Sequence, residues 1–409
     1  MTAQQVKTQS CIVGGGPAGV MLGVLLARAG VEVVVLEKYP DFFRDFRGDT
    51  IHPSTLELMH ELGLLDDFLK LPHQDAHQMT MLVGDAKVVV DFTRLPTRCK
   101  YVAMMPQWDF LNFLAKQGAR YAGFTLKMQT EGIGLIEEGG RVVGVRTRGS
   151  DGELEIRADL VVGTDGRHST MRGCAGFEVK DTGAPMDVLW MRLPREPEDE
   201  DQPSIRAKAG RLLVTINRGE YWQCAYVIDK GGYDEVKQAG LPAFRQALAS
   251  ILPLPASRVD AITSWDDIKL LTVAVNHIQE WARPGLLCIG DAAHAMSPIG
   301  GVGVNLAVQD AVATANILAA RLRNGLVTLE DLHKVQQRRE FPAHATQKIQ
   351  VFVQNAIIAK VLTSKDKVKT PIVLKIAQNI PALRHLAGRM VGLGVRPEHI
   401  ATPDIVASL

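Results

Sequence analysis

The stretch SCIVGGGPAGVMLGVLLARAGVEVVVLEK, residues 10–38, decides the fold. An apolar strand runs into a glycine-rich turn, a helix of mostly apolar residues follows, and a second, β-branched strand ends at Glu37. The turn has the spacing GxGxxG, with Gly14, Gly16 and Gly19 at its fixed positions. Strand, turn, helix and strand in this order form a βαβ unit, so the stretch predicts an α/β domain built around a parallel sheet.

Each glycine of this turn has a separate physical role. Gly14 permits the tight turn, Gly16 lets the backbone approach a pyrophosphate, and Gly19 lets the helix pack on the sheet. Free N–H groups at the start of the helix attract the anion. Glu37 can accept hydrogen bonds from ribose hydroxyls and disfavours a 2′-phosphate, and the adjoining Lys38 is grouped with it as a cofactor-binding residue. The turn therefore predicts a Rossmann-like site for FAD or NAD rather than NADP.

A second glycine-rich segment, GDAAHAMSPIGGVGVN, occupies residues 290–305. A carboxylate follows a buried strand, and glycines then open a helix that continues to about residue 324. Glycine lets a backbone lie flush against a flat ligand, and a helix start suits the negative charge of a reduced isoalloxazine. Two cofactor segments so far apart in the chain imply one long dinucleotide, FAD. The expected contacts in this segment are Asp291, whose carboxylate suits a ribityl hydroxyl, Gly301, Gly303, Val304 and Asn305.

The composition of the chain changes between the two cofactor segments. An acidic, proline-flanked stretch, EPEDEDQP, is expected to form a solvated loop, and the strands after it predict an inserted antiparallel sheet that carries the substrate side. The last part of the chain is expected to be helical, with a proline near each break. The predicted division is an FAD-binding domain of residues 1–75, 100–181 and 275–325, a substrate-binding β-sheet domain of 76–99 and 182–274, and a C-terminal helical region of 326–409.

Charge and composition exclude several classes of protein. The chain has 409 residues and a net charge of +1, from 46 basic and 45 acidic residues, without a basic stripe that would bind nucleic acid. The polar N-terminus does not resemble a signal peptide, and no apolar run long enough to cross a bilayer is expected. The five cysteines contain no CxxC pair, so we expect reduced packing residues and no metal site. These features predict a cytoplasmic protein, either a monomer or a homodimer.

Three motifs in this order resemble the FAD-dependent aromatic hydroxylases typified by para-hydroxybenzoate hydroxylase, together with the related ubiquinone-biosynthesis hydroxylases. The resemblance covers about the first 325 residues, and its middle motif is GTDGRHSTMR with Asp165. It implies that Asp165 helps hold the FAD and nicotinamide surfaces together. It also implies that Arg47 and Gln107 contact FAD, and that Pro298 lies beside the flavin with its carbonyl facing the substrate.

The resemblance also implies a reaction. In the family, NADH or NADPH is a transient electron donor, O₂ reacts with the reduced FAD, and a flavin C4a-hydroperoxide hydroxylates a phenolic or polycyclic aromatic small molecule. Tyr221 lies near a position where relatives carry pocket tyrosines, whereas Trp222 and Tyr226 point to the opposite face by strand alternation. Arg211 and Arg218 are the candidates for binding an acidic substrate.

Three other functions remain open on the sequence. A flavin-dependent halogenase shares the fold, but its WxWxIP signature is missing, since the nearest stretch is SWDDIKL. An FAD-dependent dehydrogenase or reductase would use the same cofactor without oxygen chemistry. A flavin-binding protein with no enzymatic activity would stay yellow and never oxidise NAD(P)H. His294, at the end of a predicted strand, is expected to make a structural hydrogen bond.

Overall fold

The computed structural model describes residues 4–43, 50–83, 86–150, 152–199, 203–208, 210–325, 327–364 and 380–405. Arg47, one of the residues expected to contact FAD, lies outside these described residues. The strands are β1 Gln4–Val13, β2 Val33–Leu36, β3 Thr50–Ile51, β4 Gln74–Ala76, β5 Gln78–Val83, β6 Ala86–Asp91, β7 Val102–Met104, β8 Phe124–Lys127, β9 Thr130–Glu138, β10 Arg141–Gly149, β11 Gly152–Gly163, β12 Val179–Asp181, β13 Met186–Pro194, β14 Ser204–Lys208, β15 Arg211–Asn217, β16 Tyr221–Asp229, β17 Lys269–Leu271, β18 Asn276–Ile278, β19 Ala282–Arg283 and β20 Leu286–Cys288.

Helices connect several of the strands and form the last part of the described chain. The α-helices are α1 Pro17–Arg28, α2 Pro53–Glu61, α3 Leu65–Phe68, α4 Gln107–Gly118, α5 Thr170–Cys174, α6 Tyr233–Gln238, α7 Leu241–Ala249, α8 Gly303–Arg323, α9 Leu329–Val353, α10 Ala359–Thr363 and α11 Pro381–Gly392. Short 3₁₀-helices occupy Ala256–Ala261, Trp265–Asp267, Gly290–Ala292 and Ile299–Gly301, and a π-helix, Gln354–Ile358, continues α9.

The first sheet has eight strands and carries the predicted βαβ unit. Its main path is β19-β20-β11-β1-β2-β8, and β10 and β9 extend it from β11. The pairs from β20 to β8 along this path are parallel, as helical crossovers require. Helix α1 is buried from Ala18 to Ala27 because its glycine, alanine and aliphatic residues pack between this sheet and α8. The predicted α/β, Rossmann-like fold is confirmed.

The second sheet has seven strands in the order β17-β13-β16-β15-β14-β5-β6. The expected inserted antiparallel sheet is present, with one difference: β14 and β5 pair in parallel. Strands β5 and β6 come from an earlier part of the chain, so no hairpin connection fixes their direction relative to β14. The division of the chain into the predicted domains stays a prediction.

The two faces of the second sheet bury different residues. The outer face packs on α7, and its members are Leu189, Met191, Trp222, Cys224, Tyr226 and Ile228. The inner face is turned towards α10 and the π-helix, and its members include Trp190, Val214, Tyr221, Gln223, Ala225 and Val227. The alternation predicted for Tyr221 against Trp222 is therefore observed, and the larger aromatic cluster lies away from the inner face.

One sequence expectation about a loop is wrong, and one helix continues through an internal proline. Helix α9 continues through Pro342, because this proline and its neighbours Arg339 and Ala343 are buried, and tertiary packing outweighs a cost of about 3 kcal/mol for a proline inside a helix. The acidic stretch is not wholly solvated. The Asp199 side chain is only 7% exposed and accepts a hydrogen bond from Trp222 Nε1 at 3.0 Å, with Arg258 Nη2 3.3 Å from its other oxygen.

One helical stretch in the described chain, Ile299–Arg323, is long and apolar enough to cross a membrane. The sequence had predicted no such run. In the structure, 72% of its apolar window is buried inside the protein. Because a membrane span exposes its apolar surface to lipid and a core helix covers it, the burial identifies the stretch as a core helix.

Candidate active site

Four neighbouring parallel strands, β20, β11, β1 and β2, end at the same edge of the first sheet. Asp291, Asp165, Gly14 and Glu37 follow these four strands within one to three residues. Adjacent strands are about 4.8 Å apart, so the row spans about 14 Å. Residues that are far apart in the sequence thereby form one elongated site. We call this edge, with the residues that follow the four strands, the carboxyl edge.

The three glycines of the GxGxxG turn differ in what surrounds them: two are closely packed and one faces open space. Gly14 has φ +114°, and the Thr164 hydroxyl donates to its carbonyl at 2.8 Å. A Cβ at Gly19 would lie 1.9 Å from the Gly14 carbonyl oxygen. Of the residues that the structure describes, none has an atom within 4 Å of a Cβ built at Gly16. Gly14 and Gly19 are thus fixed by packing, whereas Gly16 faces a cradle that a side chain would enter.

The start of α1 completes this cradle. Its N-cap is Gly16, no described side chain caps its N–H groups, and its first turn has no acidic residue. Unclaimed N–H groups and the positive end of the helix dipole favour an anion such as a pyrophosphate. The residues present therefore suit the dinucleotide expected from the sequence.

Glu37 is held against the glycine turn. Its Oε2 accepts from the Gly15 N–H at 3.2 Å, and its Oε1 accepts from the Tyr39 N–H at 3.0 Å. Both oxygens of this carboxylate are thereby held against the backbone at the end of β2. Lys38 lies outside this contact: its half-exposed ammonium is 3.9 Å from Glu131 Oε1. The structure places Glu37 in the row and Lys38 at its rim.

Asp165 organises its own loop. It is half-buried, and the burial of its carboxyl group raises the pKa of that group above the usual value, although hydrogen bonds from Ser169 and Met171 act in the opposite direction. The Ser169 hydroxyl donates to Oδ1 at 2.5 Å, and the Met171 N–H donates to Oδ2 at 3.0 Å. This carboxylate fixes the start of α5 beside the ends of β1 and β20.

Two arginines that the sequence did not single out join this loop to the second cofactor segment. Arg172 is buried and donates to the carbonyls of Ala292 at 3.2 Å and Arg167 at 2.7 Å. Arg167 Nη2 lies 3.8 Å from Asp291 Oδ2. Both residues stand in the motif around Asp165, but nothing in the spacing indicates that their partners lie more than a hundred residues away.

The second glycine loop separates residues that the sequence grouped together. Gly301 has φ +63°, and a Cβ there would lie 2.4 Å from Thr50 Oγ1, which donates to the Gly301 carbonyl at 3.0 Å. At Gly303 the nearest described atom, Met296 Cγ, would be 3.8 Å from a Cβ. The carbonyl of Pro298 accepts the Gly301 N–H at 3.0 Å. Gly301 is thus required by Thr50, and only Gly303 leaves space for a ligand.

The remaining expected contacts lie at helix starts. Asn305 is buried in the first turn of α8, where its Oδ1 accepts a hydrogen bond from Thr55. Val304 is half-buried beside it, and Gln107 is the first residue of α4. Like α1, α8 has no acidic residue in its first turn and no cap from a described side chain. Both helix starts can therefore face negative charge.

The inner face of the second sheet, the predicted substrate side, contacts the second glycine loop directly after Pro298. Ile299 packs against the inner-face cluster that contains Ala225. Tyr221 is half-buried on the same face, with the Arg192 guanidinium carbon 4.9 Å from its ring centroid. Four residues of strand separate Ala225 from Tyr221, which is about 13 Å. Ile299, the neighbour of Pro298, and Tyr221 therefore both adjoin the inner face.

The two arginines considered for an acidic substrate lie on different sides of the second sheet. Arg211 donates to the Ser250 hydroxyl at 2.5 Å, beyond the outer face. Arg218 Nε donates to Gln223 Oε1 at 3.1 Å on the inner face. Burial raises the pKa of Asp109 in α4, and the charge of Arg218 partly offsets this. Of these two arginines, Arg218 therefore lies on the inner face, and its charge reaches Asp109 of α4.

His294 makes the structural contact expected of it. Its Nε2 lies 2.6 Å from Asp310 Oδ2, and Arg339 Nε donates to Asp310 Oδ1 at 2.9 Å. Burial raises the pKa of Asp310, but the charges and hydrogen bonds of His294 and Arg339 outweigh it, so the pKa lies below its usual value. The three buried side chains join α8 and α9 behind the cofactor loop.

Comparison with known proteins assigns the chain to a family. A family model described as an FAD binding domain matches residues 7–348. A relative, 6-methylpretetramide 4-monooxygenase from Streptomyces rimosus, is 33% identical over 87% of this chain and 86% of its own length. The chain belongs to the FAD-dependent aromatic hydroxylase family. As an aromatic hydroxylase, it is an FAD-dependent monooxygenase.

Solved structures agree with this assignment at the level of the fold. Anhydrotetracycline hydroxylase OxyS from Streptomyces rimosus superposes with a TM-score of 0.75 at 22% identity, covering 96% of this chain and 77% of OxyS. The myxobacterial chondrochloren halogenase CndH gives 0.72 at 19% identity, covering 94% and 97%. Aromatic hydroxylases and halogenases thus share this fold, and the fold alone does not distinguish them.

Proposed function

We propose that this aromatic hydroxylase uses NADH or NADPH as a transient electron donor and O₂ as oxidant to hydroxylate a phenolic or polycyclic aromatic small molecule. One observation carries the proposal: the carboxyl edge holds Glu37, Gly14, Asp165 and Asp291 in one row, and its last loop reaches the inner face of the second sheet. Bound FAD would supply the redox chemistry, and the protein would supply binding, orientation and charge.

The residues of the row would bind FAD from one end to the other. The open cradle at Gly16 and the start of α1 suit the pyrophosphate, and the carboxylate of Glu37 suits a ribose. Asp291 suits the ribityl hydroxyls at the other end, and the start of α8 at Gly303 suits negative charge on a reduced ring. Arg47, Gln107, Lys38, Val304 and Asn305 stay predicted contacts of the same ligand.

The inner face would hold the substrate. Its apolar residues exclude water from the reacting ring, and Tyr221 offers a hydroxyl that can hydrogen-bond a phenol. The carbonyl of Pro298 already accepts one hydrogen bond and keeps a second lone pair for a substrate hydroxyl. The strand from Ala225 to Tyr221 covers about 13 Å of this face, which exceeds one aromatic ring and favours a substrate larger than a simple phenol.

The remaining features of the proposal concern the whole chain. The described ranges hold one apolar helix of membrane-spanning length, and it is mostly buried, which supports a soluble protein that we place in the cytoplasm. We keep the predicted division into an FAD-binding domain, a substrate-binding sheet domain and a C-terminal helical region. We also keep either a monomer or a homodimer as the assembly.

A substrate screen tests the proposed reaction. The purified protein, loaded with FAD, is mixed with NADH or NADPH and a panel of phenols, quinolones and polyketides in air. We expect at least one compound to stimulate NAD(P)H oxidation and to gain one oxygen atom, which becomes isotopically heavy under ¹⁸O₂. Oxidation of NAD(P)H without any oxygenated product would indicate a dehydrogenase or reductase. A halogenated product in the presence of chloride or bromide would indicate a halogenase.

A further inference from the structure

A row of buried glutamines faces the loop of residues 295–299, which leads from the end of β20 to the glycines before α8. The row consists of Gln347 and Gln350 on α9 and Gln354 at the start of the π-helix. All three side chains are at least 95% buried. Their spacing of three and four residues puts them on one face of the helix. Buried amides are costly unless they are hydrogen-bonded, so the partners of this row explain its presence.

The partners in the loop are backbone carbonyls and the hydroxyl group of Ser297. Gln350 Nε2 donates to the carbonyls of Ser297 and Ile299, each at 2.9 Å. Gln354 Nε2 donates to the Ser297 hydroxyl at 2.8 Å. The two carbonyls that Gln350 holds flank Pro298. One side chain therefore fixes the backbone on both sides of the residue expected to face the substrate.

Gln347 extends the same contact towards β18. Its Nε2 donates to the carbonyls of Ala295 at 2.8 Å and Asn276 at 2.9 Å. Together, Gln347 and Gln350 therefore hold the carbonyls of Ala295, Ser297 and Ile299, which are alternate residues of the loop.

The amide of Gln350 has only one orientation that satisfies the loop. A flipped amide would put Oε1 against two carbonyl oxygens, so Nε2 must face Ser297 and Ile299. Oε1 is then buried, and it has no hydrogen-bond partner among the described residues. A buried acceptor without a partner is unfavourable. An apolar side chain would avoid that cost, which indicates that the two donors are what this position provides.

We propose that Gln350 is a positioning residue that fixes the distance between the loop at Pro298 and the inner face of the second sheet. This inference rests on the proposed function. Productive turnover converts NAD(P)H, H⁺, O₂ and ArH into NAD(P)⁺, H₂O and ArOH. Unproductive turnover converts NAD(P)H, H⁺ and O₂ into NAD(P)⁺ and H₂O₂. A loop that is held loosely shifts turnover from the first reaction to the second and weakens the fit to FAD.

Gln336 supplies a matched control on the same helix. Its Nε2 donates to the Gln279 carbonyl at 2.6 Å, and its Oε1 accepts from the Trp281 N–H at 3.0 Å. It also bonds two backbone groups, but these lie outside the loop of residues 295–299. Methionine keeps the length of glutamine without its donors. Gln350→Met and Gln336→Met therefore remove similar contacts at different places.

The experiment measures three quantities for both variants: the melting temperature, the FAD dissociation constant by fluorescence titration of apoprotein, and the H₂O₂ formed per NAD(P)H. We expect Gln350→Met to raise the FAD dissociation constant about tenfold and to raise the peroxide fraction. Gln336→Met should lower the melting temperature comparably and leave the other two quantities at wild-type values. Gln354→Met, which loses only the Ser297 hydroxyl contact, should give a smaller change of the same kind and replaces Gln350→Met if that variant does not fold.

Equal FAD affinity and equal peroxide fraction in the Gln350 and Gln336 variants would overturn the positioning role. Failure of the proposed function is a separate outcome. If wild-type protein oxygenates no aromatic compound, the function is wrong, and the FAD titration of the two variants still decides whether Gln350 positions the loop.

Discussion

The carboxyl edge of the first sheet and the inner face of the second sheet are specified in different ways. At the edge, backbone approaches backbone so closely that a Cβ at Gly19 would lie 1.9 Å from a carbonyl oxygen. On the inner face, apolar side chains such as Val214, Ala225 and Val227 meet one another, and many apolar residues would satisfy such contacts. The comparison indicates that the carboxyl edge tolerates few substitutions, whereas the residues of the inner face can be exchanged to fit a different substrate.

The largest expected effect is a loss of stability in the GxGxxG turn, where one glycine is needed for packing and another for contact with FAD. Gly19→Ala should destabilise the apoprotein by about 3 kcal/mol, because α1 must move away from Gly14. Gly16→Ala should keep the stability of the wild type, since its methyl group enters the open cradle, and should weaken FAD binding. Urea unfolding of the apoproteins and FAD titration measure the two effects. Wild-type stability in Gly19→Ala would show that the edge is not closely packed there.

A pH-dependent effect is expected where the two regions meet. His52 Nδ1 lies 2.8 Å from the Val391 carbonyl. Burial lowers the pKa of His52 from 6.5 to about 4, against the opposing effect of backbone hydrogen bonds. The unfolded chain therefore binds a proton at higher pH than the folded chain, so the stability contribution is present above pH 6.5 and is lost as the pH falls towards 4. The loss should be roughly 3 kcal/mol.

His52→Asn, which keeps a donor near Nδ1, tests that pH dependence. Its free energy of unfolding should fall less steeply than that of the wild type between pH 6.5 and 4. Parallel curves for the two proteins would exclude His52 as the source.

In the second glycine loop we again expect one glycine to matter for stability and another for FAD binding, with a smaller loss of stability than in the GxGxxG turn. Gly301→Ala combines a left-handed φ with contact on Thr50, and we expect a loss of about 1 to 2 kcal/mol. Adding Thr50→Ala should recover part of that loss. Gly303→Ala should leave stability unchanged and weaken FAD binding, because among the described residues its methyl group would meet only Met296 Cγ, at an ordinary contact distance of 3.8 Å. If urea unfolding showed that Gly303→Ala loses stability, this glycine would be needed for the fold of the loop and not for contact with FAD.

The smallest effect is expected on the inner face. Tyr221→Phe removes one hydroxyl from a half-buried ring, so the free energy of unfolding should change by less than about 0.5 kcal/mol. FAD affinity should stay at the wild-type value, while the rate of product formation falls several-fold. A changed FAD affinity would contradict the separation of the cofactor and substrate regions.

The sequence predicts most residues of the carboxyl edge, because the features that identify them lie close together in the chain. A left-handed glycine at Gly14, a helix start at Pro17 and a carboxylate after β2 all appear within one short stretch. Parallel strands then bring the ends of β11 and β20 to the same edge without further information. The row could therefore be expected before its geometry was known.

The contacts that join distant segments were not predictable. Thr50 explains Gly301, and Thr55 holds Asn305, but each pair is separated by about 250 residues, and no periodicity links them. The same holds for Arg172 and for Gln347 and Gln350 of the glutamine row, whose partners are backbone carbonyls that any residue type provides. The burial of Asp199 and the unbroken helix at Pro342 likewise depend on tertiary packing, which outweighs local preference.

Binding of FAD compared with FMN tests the central claim most directly, because only FAD can occupy the whole row. Titration of the apoprotein should give one FAD per chain and much weaker binding of FMN, which lacks the second phosphate and ribose. Glu37→Ala should weaken FAD binding by about 1 to 3 kcal/mol and leave FMN binding unchanged, since a charged hydrogen bond to the ribose is lost. FMN binding as tight as FAD binding, or no flavin binding at all, would contradict the account.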